Sequence, residues 1–277
     1  MRNNTIYIMS KGRPQCHTAR TLVKLKYPGD WFIVCGDNDE TIEEYKRNWG
    51  ESKVIVFDWK KYFDRCDFMD NSKSLSGAIP ARNAIKDIAK NRGEIRHWQF
   101  DDDYTHFRWF DCKTLRWRNL DGNELLDRLQ KLADFGESIG ASNIGFDVAT
   151  VCANGFDGVK FVLMPRQRVF NCHNLTTEDK LWIEWRGRMN DDLLNSIWAK
   201  NHGYLVMSTR NPLCAMSATQ QEKGGLTELY KEQGTVTKTA YGVLGHPKAV
   251  KLTNFKGRYH HHVDWKSISP CIVKESK

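Results

Sequence analysis

The chain has 277 residues, long enough to bury a substantial core, and its 40% hydrophobic and 27% charged content excludes a disordered or fibrous protein. Lysine and arginine outnumber the acids by 42 to 34, a net charge of +8 that suits a polyanionic partner without identifying one. No apolar run approaches the roughly 18 residues of a membrane span, the first residues carry no signal-peptide pattern, and the eight cysteines show no CxxC pair or zinc-ligand spacing; a cytoplasmic protein with reduced thiols and no membrane contact is expected.

An apolar run at 5–9 is broken by Ser10-Lys11-Gly12-Arg13-Pro14, so the first strand ends in a basic, glycine-containing loop. Ala19, Leu22, Val23 and Leu25 recur at near-helical spacing within 15–26, and Tyr27-Pro28-Gly29-Asp30 then turns the chain into a buried strand at 31–35. Gly36-Asp37-Asn38-Asp39 ends that strand. A helix over 40–48 and a strand over 54–57 complete a β-α-β-α-β unit, a pattern that gathers ligands at the carboxyl ends of its strands. Residues 60–77 mix acids and bases and read as an irregular lid or connection. A helix opens at Ala78-Ile79-Pro80-Ala81-Arg82-Asn83 and runs through Ile85, Ile88 and Ala89 to an Asn91-Arg92-Gly93 stop.

Next, Trp98 and Phe100 alternate with polar neighbours as a half-buried strand does, until Asp101, Asp102 and Asp103 stop it. A sheet interior does not tolerate three unpaired acids, so a cation is expected there. On an extended backbone Asp101 and Asp103 leave one face and converge on one hard divalent ion, while Asp102 points away. A solvated acidic turn is the bland alternative. Phe107, Trp109 and Phe110 lead to a polar loop at 111–118, and 123–139 is helical with Leu125, Leu126, Leu129, Leu132 and Phe135 as its apolar stripe. Strands are expected at 144–147, 158–164 and 168–172, and a helix at 191–201 whose first-turn acids, Asp191 and Asp192, suit its dipole. The last clear strand is 204–207; beyond it lie a Lys223-Gly224-Gly225 turn and the run Tyr259-His260-His261-His262. There is no internal repeat and no linker long enough to separate domains.

Five motifs stand in order along the chain. They are Ile8-Met9-Ser10-Lys11-Gly12-Arg13-Pro14, Ala81-Arg82-Asn83, Trp98-Gln99-Phe100-Asp101-Asp102-Asp103, Trp185-Arg186 with Asn190-Asp191-Asp192, and Gly224-Gly225 with Tyr230. Over nearly the whole length the chain thereby resembles GT-A glycosyltransferases, and more narrowly the TET-associated glycosyltransferases with which bacteriophages decorate hydroxymethylated DNA bases. The resemblance implies a GT-A (Rossmann-like) α/β fold in a single domain with a mixed central sheet. A nucleotide-sugar-binding half at 1–110 would be followed by an acceptor-binding half with a C-terminal elaboration at 111–277. It further implies Mn2+ or Mg2+, a nucleotide-sugar donor (a UDP-sugar first), and an acceptor of DNA carrying hydroxymethylated pyrimidines such as 5-hydroxymethylcytosine.

Breaking an anomeric bond leaves a diphosphate with added negative charge, which a metal and cations must neutralise. Asp101 and Asp103 offer the hard oxygens for that metal. Similar enzymes add a late histidine, and the run His260-His261-His262 offers three candidates, of which one or two face inward on an extended segment, His260 and His262 sharing a face; a surface cluster is the bland alternative. By resemblance Ser10, Lys11, Gly12 and Arg13 hold the nucleoside, with Asp37 or Asp39 on the second loop, while Asp101 and Asp102 complete the donor side. Arg82 at a helix start is the diphosphate clamp. In an inverting enzyme the second acid before a helix acts as base, which maps to Asp192, with Asp191 the alternative because an Asp-Asp pair replaces the commoner Glu-Asp. A retaining enzyme uses no such base, and capping of the helix is the bland reading of both acids. Basic-aromatic segments at 113–118 and 185–188 are expected to meet DNA phosphates, with Trp109, Trp117, Trp182 and Trp185 as candidate wedges for a flipped base. Competing functions are a glycosyltransferase acting on a glycan, lipid or protein, a two-metal nuclease or phosphoryl transferase, and an inactive binding module. The second needs more acids than can be placed beside Asp101 and Asp103.

Overall fold

The computed structural model describes residues 5–72, 74–148, 165–216, 227–255 and 257–268. Its sheet strands are β1 (Ile6–Met9), β2 (Trp31–Gly36), β3 (Val54–Phe57), β4 (Arg96–Asp101), β5 (Tyr104–Asp111), β6 (Arg116–Asn119), β7 (Asn143–Val148), β8 (Cys172–Thr176) and β9 (Val206–Met216). β10 (Val250–Phe255) and β11 (Arg258–Val263) form a separate antiparallel hairpin. The helices are α1 (His17–Lys24), α2 (Ile42–Trp49), α3 (Trp59–Phe63), α4 (Ile79–Asn91), α5 (Gly122–Ser138), α6 (Asp191–Asn201), α7 (Thr227–Gly245, broken at Gly234) and α8 (Trp265–Ile268).

One mixed sheet takes strands from both halves of the chain in the order β3-β2-β1-β4-β8-β7-β9-β5-β6. β1 is buried along its whole length because it pairs in parallel with β2 on one side and β4 on the other. The chain runs outward from β1 to β3 and returns through α4 to β4, so the strand order reverses between β1 and β4. Ligands collect beyond the carboxyl ends of strands at such a reversal. The loop after β1 and the acid turn after β4 are the two segments that meet there.

The sheet cannot be flat. Three residues carry the chain from Asp101 to Tyr104, a reach of about 10 Å, yet four strand spacings separate β4 from β5, about 19 Å in a plane. The strands between them therefore curl until the ends of β4 and β5 approach. Inside the curl Phe100 meets Tyr104, Phe107 and Phe146 at centroid distances of 5.5, 5.8 and 6.1 Å, with Trp98, Cys172 and Cys214 completing the cluster. On the same face α1, whose Ala19 and Leu22 join that cluster, staples the turn. Thr18 donates from its hydroxyl to the Asp101 carbonyl (2.6 Å) and from its N–H to that of Asp102 (3.1 Å), and accepts the Tyr104 N–H (2.9 Å).

Several sequence expectations need correction. Residues 111–118 contain a strand, β6, whose polar composition hid it because it forms an exposed sheet edge. The strand expected at 168–172 begins only at Cys172, since Asn171 takes a left-handed conformation (φ 71°). β9 runs on to Met216, and α7 with the β10–β11 hairpin follows where no further element was expected. Phe135 in the α5 stripe is 46% exposed. The connection at 60–77 starts as α3 and then wraps around Arg188, which is 1% exposed. That guanidinium donates to both Asp70 oxygens (2.7 and 3.1 Å) and to the carbonyls of Ser72, Ser74 and Ser76. The expected strand at 158–164 and the Gly224-Gly225 motif lie outside the described residues, as does the Tyr230 side chain.

Candidate active site

β4 ends at Asp101, and Asp102 and Asp103 form the turn into β5, so the alternation that would send Asp102 away stops one residue too early. Asp102 is instead buried. Its Oδ2 accepts the Ser10 hydroxyl (2.6 Å) and its Oδ1 the Arg13 guanidinium (2.9 Å), which fastens the loop after β1 to the acid turn. Tyr45 of α2 reinforces the join: its hydroxyl lies 2.6 Å from Ser10 Oγ and accepts the Arg13 N–H. Asp39 closes the loop from the other side, accepting the Gly12 N–H (2.8 Å) together with the N–H and hydroxyl of Thr41. Asp39 is thus a structural latch. Lys11 and Asp37 are left exposed at the mouth, Lys11 within 5.4 Å of the Trp59 ring and Asp37 accepting the Trp59 N–H.

Asp101 carries the link to the second half of the chain. Its Oδ2 accepts Asn171 (3.1 Å) and its Oδ1 the Nη2 of Arg82 (3.3 Å), whose Nε donates to Asp191 Oδ2 (2.6 Å). Arg82 is 4% exposed and lies 4.5 Å over the Trp185 ring. Burial opposes its charge, but Asp191 and then Asp101 outweigh that and hold its pKa above the ordinary value. The neighbouring Asn83 clips the Trp185 backbone, accepting its N–H (2.9 Å) and donating to its carbonyl (3.3 Å). Ala81-Arg82-Asn83 and Trp185-Arg186 are therefore one assembly, with Arg82 bridging the acid turn and the start of α6.

Burial, with Asp101 and Asp102 as neighbours, pushes the Asp103 carboxyl up to about 7, and its Oδ1 is buried without a hydrogen-bond partner. Burial and then Asp191 push Asp192 up to about 6, against the Leu193 N–H bond, Lys238 and Arg82. Asp101 and Asp103 thus stand on one side of the Arg82 guanidinium and Asp191 and Asp192 on the other, and burial raises the proton affinity of Asp101 as well as of Asp103 and Asp192. Carboxyls raised in this way gather at functional sites, and structural ion-pair networks raise them too.

The family model of the TET-associated glycosyltransferases matches residues 4–225, which include every residue of this bridge. The chain belongs to the TET-associated glycosyltransferase family. No curated protein matches the chain. As a glycosyltransferase it takes its sugar from a donor, and no helix among the described residues is long and apolar enough to cross a membrane.

The acid turn of this glycosyltransferase fits a hard cation, because Asp103 presents an unpartnered buried oxygen beside the charge of Asp101. Among the described residues no three His, Cys, Asp or Glu side chains are arranged to hold an ion. Two carboxylates are what a Mg2+-type ion shared with substrate phosphates requires. His260 and His262 stand exposed on β11, and the structure brings neither to the turn. His261 is the one that faces inward, packed against Gly242 of α7, with burial, Lys238 and His260 holding its imidazole down to about 4. Trp185 and Arg188 are buried, so the 185–188 segment leaves only Arg186 exposed for an outside partner. Asn171, Thr18, Tyr45 and Lys238 were missed in the sequence; Asn171 alone carried a signal, an asparagine where a left-handed residue precedes a strand.

A raised folded-state pKa at Asp103 means that stability present at low pH is lost as pH rises from the ordinary carboxylate value through about 7. Asp103→Asn should abolish that loss, with a melting temperature that falls less than the parent's between pH 5 and 8. Added Mn2+ should stabilise the parent at pH 8 by about 2.7 kcal/mol at 100 times Kd and leave Asp103→Asn unchanged. Equal Mn2+ responses in calorimetric melts of the two proteins would remove Asp103 from the cation site.

Proposed function

We propose that this glycosyltransferase has the GT-A architecture. In this reading it moves a sugar from a nucleotide-sugar donor, a UDP-sugar first, onto the hydroxymethyl group of a 5-hydroxymethylpyrimidine in DNA. The observation that carries the reading is the pairing of an acid turn at the β1/β4 reversal with a second acid pair across the buried Arg82. Asp101 and Asp103 would hold Mn2+ or Mg2+, which when bound neutralises charge growing on the departing diphosphate. Lys11, Arg13 and Asp37 line the donor mouth, and the Ser10–Asp102 bond keeps that loop against the turn. Asp192 takes the proton of the acceptor hydroxyl as its oxygen bonds the anomeric carbon and the bond to the diphosphate breaks. A carboxyl raised to about 6 is ionised at neutral pH and still basic enough for this step.

The DNA acceptor is supported by the family resemblance and by the net charge of +8. The exposed 112–115 turn of the β5–β6 edge, with Lys113 in it and Arg116 opening β6, is a surface for phosphate contacts. Nucleosides from hydroxymethylated DNA incubated with enzyme, Mn2+ and a panel of nucleotide sugars should gain a hexose- or pentose-sized mass, and unmodified DNA should gain none. Transfer to glycan or peptide acceptors with none to hydroxymethylated DNA would replace this reading.

A further inference from the structure

Beyond the span matched by the family model, the chain builds a two-stranded ribbon from β10 and β11, which form a sheet of their own. Its root is packed: Val250 is buried with Leu193 and Ile197 of α6 and Ile268 of α8, and the Asp264 N–H donates to the Ala249 carbonyl (2.8 Å). Past that root both faces are open. One face carries Lys251, Thr253, His260 and His262, set side by side by the register and all exposed. The other carries Leu252 and Tyr259, each 47% exposed. A lone pair of strands is marginal in water unless something packs on it, so a ribbon open on both faces is suited to a covering partner. Its composition indicates the kind. Residues 246–263 include Lys248, Lys251, Lys256 and Arg258 and no acid, which suits an extended polyanion. The ribbon also rises beside the acceptor-side acids. Leu193 and Ile197 belong to the helix whose first turn holds Asp191 and Asp192, and the charge of Lys238 in α7 acts on both Asp192 and His261 of β11.

We propose that the β10–β11 ribbon lies in the major groove of the acceptor duplex, with Lys248 and Lys251 on the phosphates that border it. This rests on the DNA reading above. A substituent on C5 of a pyrimidine projects into the major groove, so a duplex that offers its hydroxymethyl group to Asp192 turns that groove toward the ribbon. The dimensions agree. Paired strands lie about 5 Å apart, and a groove about 12 Å wide admits a two-stranded ribbon. Six extended residues reach about 20 Å, enough to cross the groove from one phosphate wall to the other. Base edges then cover Leu252 and Tyr259.

The test is anisotropy titration of a hydroxymethylated duplex oligonucleotide over a range of salt, beside calorimetry of UDP with Mn2+. Both lysines are exposed, so the double variant Lys248→Gln with Lys251→Gln keeps the fold. It should weaken duplex binding about tenfold at low salt and lower the log–log salt slope by about 0.9 for each lysine removed. KM for the duplex should rise several-fold at constant kcat, and UDP affinity should equal the parent's. Lys248→Arg with Lys251→Arg, which keeps both charges, should restore the parental slope. A single-stranded oligonucleotide of the same sequence should show no dependence on the two lysines; equal dependence overturns the groove placement. Parental slope and KM in the glutamine variant, with the parent active on the duplex, overturn the ribbon's role and leave the DNA reading intact. Lost UDP affinity with duplex binding preserved assigns the lysines to the donor and overturns it too. If the parent neither binds nor modifies the duplex, the acceptor reading falls and the ribbon's role with it.

Discussion

Asp192→Asn is expected to slow sugar transfer on the order of 100-fold or more while donor binding stays at the parental level. The amide keeps the side chain's shape in the first turn of α6 but cannot take a proton. In the parent, with the cation saturating so that Asp103 stays ionised, kcat/KM should rise with pH through about 6 and level off above it. Asp191 is the second cause of the raised Asp192 value, after burial, and Arg82 pulls the other way. Neutralising Asp191 in Asp191→Asn removes the first influence and frees the second, so the acid limb of the profile should move to lower pH. Single-turnover rates measured across pH 4.5 to 8 decide the matter. A crippled Asp191→Asn beside an active Asp192→Asn would shift the base by one residue, and two active variants would point to a retaining mechanism.

Arg82→Ala should destabilise the protein by about 3–5 kcal/mol, the range for removing one partner of a buried ion pair. The loss would leave Asp101 and Asp191 buried on either side of an empty space and would strip the Trp185 ring of its stacked partner. The sequence alone suggests a diphosphate clamp, whose removal weakens diphosphate binding by about 1.5–3 kcal/mol with the fold intact. Under the proposed function both roles would fall to this residue, with Nη1, buried without a hydrogen-bond partner, as the atom left for a donor oxygen. Urea unfolding separates them. A parental midpoint combined with lost diphosphate affinity would make Arg82 a ligand-binding residue and not a bridge.

Much of this site is legible in the sequence because strand ends announce themselves. An apolar run cut off by Ser10-Lys11-Gly12-Arg13, or by three aspartates, marks a carboxyl end whatever the rest of the fold does, and the bounds of α6 follow from Asp191 and the apolar spacing behind it. Pairings between distant residues are not legible. Nothing near Asp102 in the chain says that it holds Ser10 and Arg13, 92 and 89 residues away, nor that Arg82 reaches Asp191, 109 residues on. Burial inverts other readings. Trp185 and Arg188 look like a nucleic-acid face until packing encloses them, and an exposed edge strand such as β6 has no apolar face to betray it.

The short span from Asp101 to Tyr104 also bears on how the chain reaches its native state. β4 and β5 are neighbours in sequence, yet β8, β7 and β9 must all lie between them in the sheet. Local contacts form early and long-range strand pairings late, and here two of the three intervening strands come from beyond residue 170. The curl that brings the ends of β4 and β5 together around the aspartate turn cannot exist before those strands have entered. A nascent or partly refolded chain can thus complete the β1–β3 unit while its three clustered acids remain spread in solvent. Under the proposed function, competence to bind a cation there would be a signature of the finished topology, not of the amino-terminal half that carries the acids.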